Sequence, residues 1–106
     1  NIVKDADRLD AIGSIGIARC FAFSGAKNRP LFIENLKPIE NMTAYQYNQQ
    51  TMKNESTAFN HFYEKLLKIK DRMKTETGRK LALQRNDFMI EYLKQFKLEL
   101  NHEIKS

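Results

Sequence analysis

The 106-residue sequence is short of the residues that define several protein classes, with one cysteine, two prolines, four glycines and no tryptophan. The single cysteine, Cys20, excludes an intramolecular disulfide, and it favours a reducing, cytoplasmic location. The longest apolar stretch, residues 12–23, is interrupted by Arg19. It is also shorter than the ~18 residues that a transmembrane helix needs. We therefore expect a globular chain that does not cross a membrane.

The charged residues do not form the pattern of a nucleic-acid-binding surface. A net charge of +5 suits an anionic ligand. The lysines and arginines are nevertheless scattered among acidic neighbours and do not form a one-sided basic stripe with exposed aromatic residues. This distribution is typical of solvated helix faces, and it argues against nucleic acid as a partner.

Apolar side chains recur at helical spacing over most of the chain, and no segment shows the sustained alternation of a strand. The spacing predicts one helix over residues 2–23, a second over 56–74 with Ser56 as its cap, and a third that begins after Thr75 or Thr77. Two X-Pro sequences in residues 24–43 predict a long loop, and residues 44–54 carry a weaker signal for a short helix. We predict an all-α fold with a single core.

The segment that carries candidate chemistry is residues 3–13, which read VKDADRLDAIG. On a helical wheel, Asp7, Asp10 and Ser14 lie on one side within about 60° of arc, whereas Asp5 lies about 200° from Asp7. Asp10 falls inside the apolar arc and Asp7 at its edge. A carboxylate that faces a core needs a cation or a metal ion as partner. From the pattern alone, ordinary surface charge near a helix N-terminus stays open as the other interpretation.

The same segment resembles the last motif of HD-domain phosphohydrolases, in particular a bacterial branch of small predicted hydrolases. The similarity continues through residues 15–19 (IGIAR), 60–67 (NHFYEKLL) and 75–78 (TETG), and it spans nearly the whole chain. It implies an all-α fold, in which residues 1–106 form the C-terminal part of a single HD-type helical bundle.

The resemblance also implies a divalent metal ion held by a histidine, a His-Asp pair and a final aspartate. The final aspartate matches Asp7. The histidine and the His-Asp pair have no counterpart, because neither His61 nor His102 is followed by Asp. Ligands of this kind suit Mn, Fe, Co, Ni or Zn, and Mg also remains possible.

Further site residues follow from the same resemblance and from spacing. Asp10 is expected to act in catalysis by orienting a ligand or accepting a proton. His61 and Lys65, at an i, i+4 spacing, are expected to project together and bind substrate phosphate, with Arg29 on the loop as a third candidate. The implied reaction is hydrolysis of a phosphoester or phosphoanhydride bond in a nucleotide-like substrate.

The chain begins at Asn1 directly within patterned sequence, from which we expect a longer parent domain. We expect this piece alone to be inactive. We also expect it to self-associate, or to pair with the N-terminal segment, because the face of Val3, Ala6, Asp10, Ile17 and Phe21 would lack its cover. The alternative is a helical interaction or nucleic-acid-binding module without catalytic chemistry, for which salt-sensitive DNA binding without a metal effect would be the sign.

Overall fold

The structure is a computed structural model that describes residues 2–38, 45 and 56–105. Over these ranges it contains helices and connecting turns but no strand, which confirms the all-α prediction. The helices are α1 (Ile2–Leu9), α2 (Gly13–Ala26), α3 (Ala58–Glu64), a 3-10 helix (Leu66–Arg72) and α4 (Glu76–Lys105). The short helix predicted over residues 44–54 lies outside the described residues, apart from Tyr45, which is helical.

The first predicted helix is in fact two helices, so the prediction of one helix over residues 2–23 is wrong. Helices α1 and α2 are bent by 66° relative to each other. The break is made by Ile12, which has extended backbone angles, and by Gly13, whose φ of +77° side chains with a Cβ rarely adopt. A helical wheel that runs through this break does not apply, and Ser14 belongs to α2 and not to the helix of Asp7 and Asp10.

The second predicted helix is also shorter than its apolar pattern indicates. Thr57, not Ser56, caps α3 by accepting a hydrogen bond from the Asn60 amide at 3.0 Å. The helix ends at Glu64, and Lys65 lies outside it with a φ of −132° before the chain continues as the 3-10 helix. The start of α4 agrees with the sequence, since the Thr75 hydroxyl accepts from the Gly78 amide at 2.9 Å.

The core lies between α2, α3, the 3-10 helix and α4, and its centre is aromatic. Phe62 is completely buried, and its ring centroid lies 5.8 Å from that of Phe21 and 6.3 Å from that of Tyr92. Phe59 stacks on Phe96 at 5.3 Å. Each such buried ring stabilises the fold by roughly 1.5–3 kcal/mol. Helical spacing also predicts an inner position for Phe88 of α4, and this is wrong, because Phe88 is 54% exposed.

The face that was expected to lack a cover is only partly open. Ile17 is buried and Phe21 packs against the aromatic core, so the prediction is wrong for these two residues. Val3, Ala6 and Asp10 are exposed, as expected. Among the described residues, no single helix is long and apolar enough to cross a membrane; α1 and α2 pass that test only as a bent pair, by length and composition.

Candidate active site

The three aspartates of α1 and its final turn have different environments. Asp7 and Asp10 are exposed, whereas Asp5 is 3% exposed. The expectation that Asp10 faces the core is therefore wrong, since the bend moves the apolar arc of α2 away from it. Asp10 still continues the helical hydrogen bonding, because its amide donates to the Ala6 carbonyl at 3.2 Å. Two carboxylates three residues apart thus project from one end of α1 into solvent.

Asp5 is fully engaged by the start of α4. Its carboxylate accepts hydrogen bonds from the Thr75 hydroxyl at 2.6 Å and from the amides of Lys74 and Thr75 at 2.8 Å. These bonds, that of the Thr75 hydroxyl first, lower the pKa of Asp5 to about 2. A Cβ on Gly78 would overlap the same carboxylate, so glycine is needed there. Asp5 consequently has a structural role that occupies its oxygens.

Two arginines hold the C-terminal half of α1. Arg8 donates from Nη1 to the Arg72 carbonyl at 3.0 Å and lies 3.9 Å from the Asp5 carboxylate. Arg85 of α4 donates from Nη1 to the Leu9 carbonyl at 2.7 Å. The carbonyls at the end of a helix lack partners within the helix, and cations favour that end of its dipole. The two contacts therefore fix α1 with Asp5 inward and Asp7 outward.

A pocket of about 250 Å³ lies between α2 and α3, with Ala11 of the α1–α2 turn in its lining. Its lining residues come from the α1–α2 turn, α2, α3 and the 3-10 helix: Ala11, Gly16, Arg19, Cys20, Phe23, His61 and Leu66. Arg19 donates from Nη1 to the Asp10 carbonyl at 3.2 Å, so the pocket adjoins the end of α1. Close packing of the turn depends on Gly16, because a Cβ there would overlap the Ala11 carbonyl oxygen.

The pocket is electropositive. Burial of the imidazole, followed by the charges of Arg29 and Lys65, lowers the pKa of His61 from 6.5 to about 4. The Arg29 guanidinium also lies 5.2 Å from the centre of the Phe23 ring that lines the pocket. The structure thus brings His61, Arg29 and Lys65 close enough to interact. At neutral pH, His61 is uncharged and offers one N–H donor, while the arginine and lysine supply positive charge.

The helix predicted to carry both His61 and Lys65 is shorter than expected. The prediction placed both on one continuous helix, but Lys65 follows the end of α3. Its amide donates to the His61 carbonyl at 2.9 Å, which closes the last turn. Lys65 thus keeps the predicted i, i+4 relation to His61, although the helix does not continue beyond Glu64.

Arg19 is the pocket residue that the sequence prediction missed. The sequence does mark Arg19 as unusual, because it is the charged residue that interrupts the apolar stretch 12–23. Cys20 is buried and also lines the pocket, where burial raises the pKa of its thiol.

A complete metal site is not formed by the described parts of the chain, in which no three His, Cys, Asp or Glu side chains are grouped closely enough to hold an ion. The exposed carboxylate of Asp7 fits one ligand of such a site, and Asp10 lies one turn further on. The assignment of Asp7 as a metal ligand therefore stays a prediction.

Comparison with known proteins identifies the fold. No family model matches the chain. A protein of Lactobacillus plantarum is 46% identical, with a TM-score of 0.85, over 95% of this chain and 48% of its own. An HD-superfamily hydrolase from Bacillus thuringiensis is 41% identical, with a TM-score of 0.75, over 93% of this chain and 44% of its own. The chain shares the HD-superfamily fold. The resemblance seen in the sequence is thereby confirmed.

A third similar protein of the same fold is the uncharacterized protein YpgQ of Bacillus subtilis. It is 40% identical over 92% of this chain and 38% of YpgQ. Its crystal structure in complex with ADP superimposes with a TM-score of 0.71 at 39% identity, covering 92% of this chain and 43% of that chain. The chain thus spans less than half of the length of these relatives.

Proposed function

We propose that the chain is part of a metal-dependent phosphohydrolase that acts on a phosphoester or phosphoanhydride bond of a nucleotide-like substrate. The observation that carries the proposal is the 41% identity to an HD-superfamily hydrolase over 93% of the chain. The complex of YpgQ with ADP supports a nucleotide as the substrate class. The electropositive pocket, whose Arg19 binds the backbone carbonyl of Asp10, is consistent with both.

Asp7 is the proposed metal ligand of this chain. It is exposed, whereas the contacts that fix α1 to the rest of the fold are made by Asp5, Arg8 and Leu9. The chemistry that a divalent ion supplies in such a site is polarisation of a phosphoryl oxygen and a lowered pKa of bound water. The candidate ions are Mn, Fe, Co, Ni, Zn and Mg, since one carboxylate does not select among them.

Asp10 is the proposed catalytic carboxylate. It is exposed one helical turn after Asp7, about 4.5 Å further along the helix axis. Its own carbonyl is held by Arg19 at 3.2 Å, so its backbone is fixed relative to the pocket. From this position Asp10 accepts a proton from the attacking water or orients a ligand of the site.

His61, Lys65 and Arg29 are proposed to bind the phosphate groups. A neutral His61 donates one hydrogen bond to a phosphate oxygen, while Arg29 and Lys65 balance its negative charge. A bound phosphate would in turn raise the pKa of His61, because an adjacent anion stabilises the protonated ring.

The first experiment measures metal content and phosphate release from a panel of nucleotides in the full-length natural protein and its Asp7→Ala variant. We expect Asp7→Ala to abolish both bound metal and turnover. The matched control is Asp87→Ala, which removes an equally exposed carboxylate from α4. Asp5→Ala is a weaker control because it also removes the hydrogen bonds that join α1 to the start of α4. Retention of metal and activity by Asp7→Ala, or their loss in Asp87→Ala, would overturn the assignment.

The 106-residue chain by itself is proposed to be inactive. One carboxylate leaves a divalent ion mostly to water, so neither stoichiometric metal nor nucleotide hydrolysis is expected of it. Its proposed partners are a second copy or the N-terminal segment of the parent domain. Robust metal-dependent phosphate release by the isolated chain would contradict this part of the proposal.

A further inference from the structure

Helix α1 owes its orientation to contacts with the rest of the fold. It has eight residues, and isolated helices shorter than ~12–15 residues are marginal in water. Its contacts come from the chain that leads into α4 and from α4 itself: Asp5 binds Lys74 and Thr75, Arg8 binds the Arg72 carbonyl, and Leu9 binds Arg85. These partners determine which way Asp7 and Asp10 point.

Arg85 differs from the other contacts because it touches both helices of the bend. Its Nη1 donates to the carbonyl of Leu9, the last residue of α1, at 2.7 Å. Its aliphatic stem lies against Gly13, the first residue of α2. If Gly13 carried a Cβ, that atom would lie 3.0 Å from both Cβ and Cγ of Arg85. One partly buried side chain of α4 is thus wedged into the turn between α1 and α2.

The bend at this turn sets the distance between the two halves of the candidate active site. The carboxylates of Asp7 and Asp10 are carried by α1 and its last turn, whereas Gly16 and Arg19 of α2 form a wall of the pocket. A change in the 66° angle between the helices would move the carboxylates relative to the pocket. A displacement of ~1 Å between reacting groups can lower the rate about 100-fold.

We propose that Arg85 is a positioning residue that holds α1 against α2 and thereby sets the spacing between the carboxylates of Asp7 and Asp10 and the phosphate-binding pocket. This inference rests on the proposed function for its catalytic consequence, but not for its structural one. Arg85 itself touches the backbone of the turn, so its effect on catalysis is transmitted through α1.

The test uses three variants of the full-length natural protein. Arg85→Met keeps the aliphatic stem over Gly13 and removes the donor to Leu9, whereas Arg85→Lys keeps one donor. The matched control is Arg79→Met, which removes an arginine of the same helix that donates to the Met73 carbonyl at 3.5 Å and has no hydrogen bond to α1 among the described residues. Hydrogen exchange of the α1 amides, thermal unfolding, kcat and KM are measured for each variant.

In Arg85→Met we expect the α1 amides to exchange faster than in the parent, and kcat to fall about 10–100-fold with KM changed less than about threefold. Arg85→Lys should restore part of the loss in kcat. Arg79→Met should leave both kcat and α1 exchange near those of the parent. A purely structural role would lower the unfolding temperature without separating kcat from KM.

The proposal is overturned if α1 exchange in Arg85→Met matches that of the parent, or if kcat is unchanged while α1 exchange increases. It is also overturned if Arg79→Met reproduces the loss in kcat. Absence of hydrolysis in the unsubstituted protein would instead refute the proposed function. In that case, the exchange measurement still decides whether Arg85 positions α1.

Discussion

The uncharged state of His61 makes the stability of the fold sensitive to acid. Burial and the charges of Arg29 and Lys65 lower its pKa in the folded protein to about 4, whereas the ordinary value of 6.5 applies to the unfolded chain. Between these two values the unfolded state binds a proton that the folded state does not. The free energy of unfolding contributed by His61 is therefore complete above about pH 6.5 and is lost as the pH falls towards about 4.

The size of the effect follows from the same two pKa values. The difference between 6.5 and about 4 corresponds to roughly 3 kcal/mol when the window has been crossed completely. Part of the imidazole reaches solvent, which screens the charges, so we expect about 1–2 kcal/mol between about pH 7 and pH 5. For a domain of ~100 residues this lowers the unfolding temperature by about 5–15 °C.

Thermal unfolding across this pH range, followed by circular dichroism, compares the parent with His61→Gln. The glutamine keeps a polar side chain at the position but does not titrate, so the variant should lose about 1–2 kcal/mol less than the parent. Lys65→Met removes one of the neighbouring charges, and it should raise the His61 pKa measured by nuclear magnetic resonance. Equal acid sensitivity of the parent and His61→Gln would refute the reasoning.

Two further predictions concern the packing at Gly16 and the self-association of the isolated chain. Gly16→Ala should destabilise the fold by about 1–3 kcal/mol in thermal unfolding, because its Cβ would overlap the Ala11 carbonyl oxygen. The control is Gly25→Ala, where the added Cβ would meet no side chain or other segment within 4 Å, so this variant should be neutral or stabilised by up to ~1 kcal/mol. Equal losses of stability in both variants would contradict the packing argument. The 106-residue chain alone should self-associate through the exposed side chains of Val3 and Ile15, which are 69% and 59% accessible. Light scattering and native mass measurement test this, and a monodisperse monomer with cooperative unfolding would contradict it.

The features that the sequence predicts correctly are those with local causes. Helical spacing of apolar residues predicts the all-α class, and Thr75, one of the two predicted caps, caps α4. The aromatic core also follows from spacing, because Phe59, Phe62 and Phe96 recur on the buried faces of their helices. Each of these predictions needs no more than the residues within a turn or two.

The bend between α1 and α2 shows where periodicity fails. The apolar pattern continues through residues 2–23, but the backbone breaks at Ile12 and Gly13. Gly13 adopts a φ of +77° at this break. Its contact with the Arg85 stem depends on α4, which begins more than sixty residues later in the chain. A helical wheel of residues 2–23 therefore does not predict this contact or the positive φ.

The pocket was predictable only in part for the same reason. His61, which lines the pocket, was a predicted site residue, whereas Arg19 was noted only as an interruption of an apolar stretch. Its role depends on how α2 packs beside α3 and on the turn that brings the Asp10 carbonyl within 3.2 Å of its guanidinium. The pocket is formed by side chains from separate segments, and residue spacing within one segment does not predict which segments pack together.

Asp5 and Asp7 give the clearest case of an assignment that chemistry alone could not make. Both are aspartates on one short helix, two positions apart, and the wheel shows only that they point in different directions. Asp5 is the aspartate that is buried, because the Thr75 hydroxyl and two backbone amides bind its carboxylate and because Gly78 has no side chain to displace it. Because those groups occupy the oxygens of Asp5, Asp7 is the carboxylate of the pair left open to a ligand. If that division is correct, a Gly78→Ala change should disturb α1 through Asp5 and so displace Asp7, although Gly78 itself lies on α4.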